Sequence, residues 1–453
     1  MKIAWFTPFR RTSAIGRFSR LVTDELAGQA SVDLWLAEAD TEELHDTALP
    51  LVHYARLPDV DRRLSEYDLV VYNLGDHPPN HSRIYDVSQR VPGVVILHDY
   101  VMHHFFAAYY AERCDWDRYA EALRRWYGLK LSMTRRGWAG PDRDIVQIRD
   151  GEGVIHYPLF EEALTGALGV VTHADFVAEA VRRVAGAPVA KIPLAYAVDA
   201  TSAAPSRADL QVPENRLLVV TVGHANENKR IQVVMQALAE NRDLAEAIVY
   251  VVIGSCPEPF GSVLQKLRLE WNLRESVRFT GHAPDELLRG YLRHAGVCVN
   301  LRWPAMEGGS ASCAEQMLFG KAMIVTDTGV YRELPEDSVR KVRPEHELRD
   351  LTRHLREMVN DPDLRQRLGE CARRYAEANF NPGLYARRFL KFCSGLPSYK
   401  PALALMDAAG RELWRIGVTP EMAIVDTVAR ESSLLMDGAA SPPIARDRNR
   451  DSR

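Results

Sequence analysis

Two glutamates eight positions apart end the run Glu307-Gly308-Gly309-Ser310-Ala311-Ser312-Cys313-Ala314-Glu315. An ionised carboxylate only accepts hydrogen bonds, so each suits a hydroxyl-bearing ligand rather than an anion. The apolar runs Val297–Leu301 and Ala322–Thr326 on either side make the stretch a strand, a turn and the opening of a short helix, with Glu315 two turns inside it. Gly308 and Gly309 clear side chains from the turn, where a ligand would press against the backbone. A helix start carries unpaired N–H groups and partial positive charge, which suits a phosphate. A phosphate in the middle with diols on both sides describes a nucleotide sugar.

A second phosphate site follows the apolar strand Leu217–Val222. Gly223 leads into His224-Ala225-Asn226-Glu227-Asn228-Lys229-Arg230, and Ile231, Val234, Met235 and Leu238 then repeat at helical spacing. Lys229 and Arg230 stand at a helix start, where the dipole disfavours cations. Both could simply reach to water. Beside the first stretch, the functional reading is the better one: two turns and a fixed cation around one diphosphate.

Three other segments could carry chemistry. His98-Asp99 with His103-His104 could ligate a metal, Asp99 and His103 sharing a helix face, or could be one packed and one solvated helix pair. The preferred reading makes His98 a sugar-contacting group at a strand end. The loop Thr7 to Gly16 follows the first strand, where ligands of open α/β sheets collect, but it contains no G-x-G-x-x-G. Residues 119–140 hold five basic residues between Ala122 and Pro141 and no acidic one. Read as one helix, they set Arg124, Arg125, Arg135 and Arg136 beside a stripe of Trp126, Leu129 and Met133. That face is either solvated, or laid on an anionic membrane, or a wall for an anionic acceptor.

The elements that position these residues alternate short apolar runs with amphipathic segments, the pattern of parallel sheets wound with helices. Strands are expected at Ile3–Phe6, Val32–Leu36, Leu69–Tyr72, Val94–Leu97, Gly169–Thr172 and Ala190–Pro193. The second half has them at Leu217–Val222, Ala247–Ile253, Val277–Thr280, Val297–Asn300, Ala322–Thr326 and Val339–Val342. The chain of 453 residues thus divides into a domain over 1–200, a second over 201–383, a helix at 384–398 that belongs with the first, and a helical extension over 399–453 with a disordered end. Apolar residues make up 46% and charged residues 26%, and the net charge of −4 argues against a nucleic-acid binder. Six scattered cysteines without a C-x-x-C pair fit a reducing compartment. The N-terminus reads as a strand rather than a signal peptide, and no run approaches the ~18 apolar residues of a membrane span. The expected location is the cytoplasm, with 119–140 as the candidate contact to the inner membrane face.

With both motifs placed, the sequence resembles the retaining glycosyltransferases of family four, which adopt the two-domain GT-B fold. The resemblance covers about residues 2 to 395 and is carried by the second half. There Arg278-Phe279-Thr280-Gly281, Val299-Asn300-Leu301-Arg302, the two spaced glutamates and Gly320-Lys321-Ala322-Met323-Ile324-Val325-Thr326-Asp327-Thr328-Gly329 follow in order. By that resemblance Lys229 contacts the donor diphosphate, Glu315 holds the ribose, and Glu307 sits beside the donor sugar, followed by the amides of Gly308, Gly309 and Ser310. Gly281 joins the donor-binding set. Gly16 resembles the first-domain glycine near the diphosphate, and His98 the histidine near the sugar hydroxyls. His224 stands where many members have arginine, which leaves one permanent cation fewer for Arg230 or a protonated His224 to replace.

The implied activity is transfer of a sugar from a nucleotide-diphosphate sugar to an acceptor hydroxyl with retention, in glycan or polysaccharide synthesis. Lys229, Arg230 and the helix-start amides would stabilise the leaving diphosphate, without a metal or other cofactor. The acceptor could be a glycan, a lipid-linked molecule or a small molecule, and the 399–453 extension is a candidate for self-association. Two rivals remain: a nucleotide-sugar epimerase on the same architecture, and a non-catalytic nucleotide-sugar-binding partner protein.

Overall fold

The computed structural model describes residues 1–38, 43–129, 132–134, 137–139, 153–199, 201–396, 400–419 and 422–434. The end expected to be disordered, Ala439 to Arg453, lies outside them, as do Arg135 and Arg136.

Two parallel sheets dominate. The first is built from β1 (Lys2–Phe6), β2 (Ser31–Leu36), β3 (Leu51–His53), β4 (Leu69–Leu74), β5 (Val94–Leu97), β8 (Gly169–Thr172) and β9 (Val189–Lys191). Their order is β3-β2-β1-β4-β5-β8-β9. The second contains β10 (Leu217–Val222), β11 (Ile248–Ile253), β12 (Val277–Phe279), β13 (Val297–Asn300), β14 (Ala322–Thr326) and β15 (Val339–Val342), ordered β12-β11-β10-β13-β14-β15. β4, β5, β8, β11, β13 and β14 are buried along their whole length, as strands covered on both faces by helices must be. Both sheets reverse direction of winding next to their first strand, the place where open α/β sheets receive ligands at the carboxyl edge.

The helix Pro382–Ser394 returns to the first domain. Tyr385, Ala386, Phe389 and Cys393 enter the core formed by Ile3, Trp5, Phe18, Val22 and Val171. Phe389 meets Trp5 edge-on at 5.5 Å between ring centres. Beyond it, helices Lys400–Arg415 and Ala423–Leu434 form the extension.

The single helix expected over 119–140 is not formed. A helix spans Trp116–Tyr127 and stops at Gly128, whose φ of +69° caps it in the left-handed region. Residues 132–134 and 137–139 then pair as an antiparallel hairpin, β6 and β7. Arg124 and Arg125 lie near Glu121, and Arg125 also near Glu162, while Trp126 donates to Glu162 at 2.8 Å. The basic residues of this helix therefore have local carboxylates, and the aromatic stripe is docked on the domain. Among the described residues no helix is long and apolar enough to cross a membrane.

Candidate active site

The carboxyl edges of the two sheets face each other, and the loops leaving them touch. Asp99, after β5, bridges antiparallel to Glu307, after β13. Tyr100 and Val101 donate their amides to the Met306 carbonyl at 2.9 and 3.0 Å, and Gly308 donates to the His98 carbonyl at 2.9 Å. A Cβ on Gly308 would stand 2.9 Å from that carbonyl, so the approach requires glycine.

Glu307 is held on its own side by two groups the motif reading did not assign. Arg302, almost wholly buried, donates Nε to Glu307 Oε1 at 2.9 Å, and the Tyr331 hydroxyl donates to the same oxygen at 2.6 Å. Burial works against the Glu307 charge, but Arg302, Tyr331 and Lys229 outweigh it and hold the carboxyl below the usual range. Glu307 is anionic at neutral pH. Ser310 caps the helix Ala311–Leu318, its Oγ accepting from the Cys313 amide, so Glu315 lies little more than one turn inside rather than the two expected. Glu315 is buried, and the first domain reaches it: Arg17 stands 3.7 Å from Oε1 while its guanidinium covers the Tyr196 ring at 4.7 Å.

Lys229 closes a short 3-10 turn, Glu227–Lys229. That turn is fastened to the Glu307 loop, because the Asn228 carbonyl accepts from the Trp303 amide at 2.8 Å. The Lys229 ammonium is buried and donates to the Val222 carbonyl at 2.8 Å, and a Cβ on Gly223 would lie 2.8 Å from it. Burial first, then Arg302, push its pKa well down, while Glu307 raises it. A lysine so placed would regain its charge beside an anion.

Arg230 is not brought to this cluster. Its guanidinium is committed to Glu347 on the helix Glu347–Asn360, with Nη2 at 2.6 Å and Nε at 2.9 Å from Oε2. His224 is exposed at the mouth and shares a hydrogen bond with Ser255. Gly281, at φ +68°, borders open space. Gly16 lies in the first turn of the helix Ala14–Leu26. Its amide is taken by the Ser13 cap, and a Cβ there would press on the Pro8 carbonyl at 2.9 Å. Packing of the first loop thus suffices to require this glycine.

The four residues considered for a metal part company. His98 faces Asn73 and His173, Asp99 accepts from the Asp76 amide, His103 faces Tyr119 and the Tyr157 carbonyl, and His104 faces Asp76. Among the described residues no three His, Cys, Asp or Glu side chains converge to hold a metal ion. Asp99 is pushed up to about 7 by burial, then by Asp76 and Glu307.

Between the domains a cavity of about 30 Å³ is lined by His173, Leu194, Gly309, Ser310, Val330 and Tyr331, among others. That is room for about one water, so this cavity by itself does not hold a nucleotide sugar.

Arg302, Tyr331, Arg17, Asn73 and His173 escaped the motif reading. Position alone could have found His173, which follows β8 at the carboxyl edge, whereas Tyr331 comes to Glu307 from 24 residues away.

Residues 203–375 match the family model described as glycosyl transferases group 1. The chain is similar in structure to Anabaena Alr3699/HepE in complex with UDP, with 15% identity and a TM-score of 0.59 over 87% of this chain and 100% of that one. A sucrose-phosphate synthase from Thermosynechococcus elongatus is similar at 17% identity and a TM-score of 0.59, over 87% and 99% of the two chains. A glycosyltransferase from Rickettsia africae ESF-5 reaches a TM-score of 0.61 at 14% identity, over 87% and 98%. No curated protein sequence matches the chain. At these identities the likeness concerns the fold, which is GT-B; the family match concerns the second domain.

Proposed function

We propose that this protein is a retaining glycosyltransferase of family four that moves a sugar from a nucleotide-diphosphate sugar to an acceptor hydroxyl. One observation carries the reading: Glu307, Glu315 and Lys229 stand on two joined loops and one helix at a single seam, where the first domain meets the Glu307 backbone and the Glu315 carboxylate. The buried Lys229 is the group that a diphosphate would complete. Loss of that diphosphate builds negative charge, and Lys229 with the amides at the start of the Ala311–Leu318 helix would stabilise it electrostatically. Lys229 and those amides, in the place a metal would take, make the transfer metal-independent in this reading.

Glu307 is a sugar holder rather than a covalent nucleophile. Arg302 and Tyr331 occupy one of its oxygens and fix its direction, which suits a group that orients hydroxyls. The acceptor hydroxyl then attacks from the face the diphosphate leaves and passes its proton to the leaving phosphate. Closing of the 98–101 segment on 306–308 excludes water from that step. Alr3699/HepE has been solved with UDP and with UDP-glucose, so uridine donors are the first to offer. The proposed location is the cytoplasm, with a glycan, lipid-linked or small-molecule acceptor.

The experiment is a thermal-shift screen against UDP, GDP and ADP sugars, followed by NMR of the binding sugar with candidate acceptors. One class should raise the melting point by mass action and lose its sugar to an acceptor with the anomeric configuration kept. Conversion of the donor to an epimer without an acceptor would replace transfer by epimerisation. Binding without any turnover would favour the partner-protein reading.

A further inference from the structure

Behind the Gly308–Ser310 turn runs a buried row of hydrogen bonds that the donor site does not require. Asn73, on β4, donates Nδ2 to the Phe6 carbonyl at 2.8 Å and turns Oδ1 to His98 Nε2 at 3.0 Å. His98 Nδ1 faces His173 Nε2 at 3.2 Å, and His173 Nδ1 faces the Ile192 carbonyl at 3.0 Å. These are four links, and each needs one hydrogen. The Asn73 amide supplies one, and each neutral imidazole supplies one. The row is a proton short. Turning the Asn73 amide over does not change the count; it only moves the unmade link to the Phe6 carbonyl.

The surroundings keep the rings neutral. Both are buried. Burial pushes His173 down to about 4, and burial, then His173 and His81, lower His98. Phe18 packs edge-on against both rings, and Tyr385 lies over His173 at 6.1 Å between ring centres. His81, from the helix Pro78–Ser88, is turned to the Asn73 carbonyl, and Asp99, next in the chain, to the Asp76 amide. No carboxylate from these elements acts on either ring. On the other side stands the turn itself: a Cβ on Gly309 would lie 3.2 Å from His173 Cβ. An anion seated at this turn would bring a negative charge up to the pair, and an imidazolium would complete the row.

We propose that binding of a donor diphosphate draws one proton from solvent onto the His98–His173 pair, so that the pair is a cation in the loaded enzyme. The proton enters the unmade link, and no bond to the ligand forms or breaks. His173 is then a positioning residue: it fixes the His98 tautomer and shares its charge. The pair supplies positive charge to a site where His224 takes the place of a permanent cation. This rests on the nucleotide-sugar reading.

The test is isothermal titration calorimetry with UDP, GDP and ADP at about pH 8, where a terminal phosphate of pKa about 6 is fully ionised. Two buffers of different ionisation enthalpy report the protons exchanged. For the nucleotide that binds, the wild type should take up about one proton, and its binding constant should fall about tenfold per pH unit above pH ~7.5. His173→Gln offers His98 an amide hydrogen but holds no charge, so it should bind without the uptake and without the slope. Binding by the wild type with no proton uptake overturns the proposal and leaves the nucleotide reading in place, as does uptake that persists in His173→Gln. Binding of none of the three overturns both. The wild-type measurement stands whether or not the variant folds.

Discussion

Gly308 donates its amide to the His98 carbonyl at 2.9 Å, and this bond joins the two domains beside the residue proposed to hold the donor sugar. Two further backbone hydrogen bonds line up with it, from the Tyr100 and Val101 amides to the Met306 carbonyl, so the seam is a short ladder between the domains. Side chains as large as a methyl group at Gly308 would prop it apart.

Gly308→Ala should therefore bind nucleotide but fail to close. A misplacement of about 1 Å costs on the order of 10²-fold in rate, and the variant should lose about that much turnover. Small-angle scattering with nucleotide present should give a larger radius of gyration than the wild type. An unchanged radius would refute the wedge.

Lys229→Ala should lower turnover by at least ~10²-fold, the scale of losing one transition-state electrostatic contact. Glu307→Gln should do the same. Addition of EDTA should leave the wild-type rate where it was. Wild-type rates in both variants would overturn the site, and loss of activity that Mg²⁺ restores would overturn metal independence.

Arg302→Met leaves Glu307 with its charge in a buried setting and one hydrogen bond fewer. Breaking one side of a buried ion pair costs about 3–5 kcal/mol, read as a lower urea midpoint. Arg302→Lys should recover little of it. A lysine point charge does not reproduce the guanidinium, which bonds Glu307 and the Leu301 carbonyl together.

Asp99 gives stability a pH dependence of definite sign. Its folded pKa of about 7 lies above the unfolded value near 4. Between those values the unfolded chain has released a proton that the folded chain keeps, so folding loses stability as pH rises through this window. Asp99→Asn should raise unfolding free energy by about 2 kcal/mol at pH 8, after discounting for the partial exposure of the group, and by close to nothing near pH 4. An equal gain at both pH values would show that the carboxyl is not the cause.

Most of the framework was legible because parallel strands buried on both faces are unbroken apolar runs: Leu217–Val222, Val297–Asn300 and Ala322–Thr326 have the expected bounds. The edge strand Leu51–His53 was missed, being three residues long without a repeating pattern. Gly128 carried the stop signal for the 116–127 helix, a glycine just past Arg124 and Arg125, while the run of basic residues continues past it to Arg135 and Arg136. Within the site, motif spacing located Glu307, Glu315 and Lys229. It could not reveal that Arg230 is held by Glu347, 117 residues on, or that Arg302 and Tyr331 share one oxygen of Glu307. Such pairings belong to the packing of distant elements and leave no local periodicity.

The helix Pro382–Ser394 and the residue Leu396 after it put Tyr385, Ala386, Phe389, Cys393 and Leu396 into a core whose other members lie between Ile3 and Ala195. During synthesis the first domain therefore emerges without a wall of its own interior. At about 5–20 residues per second the ribosome needs on the order of 10 s or more to deliver the missing segment. Over that interval Trp5 and Phe18 face a groove awaiting its occupant, and the domain made second is the first whose sheet core is whole. A truncation at residue 381 would consequently damage the beginning of the protein rather than its end.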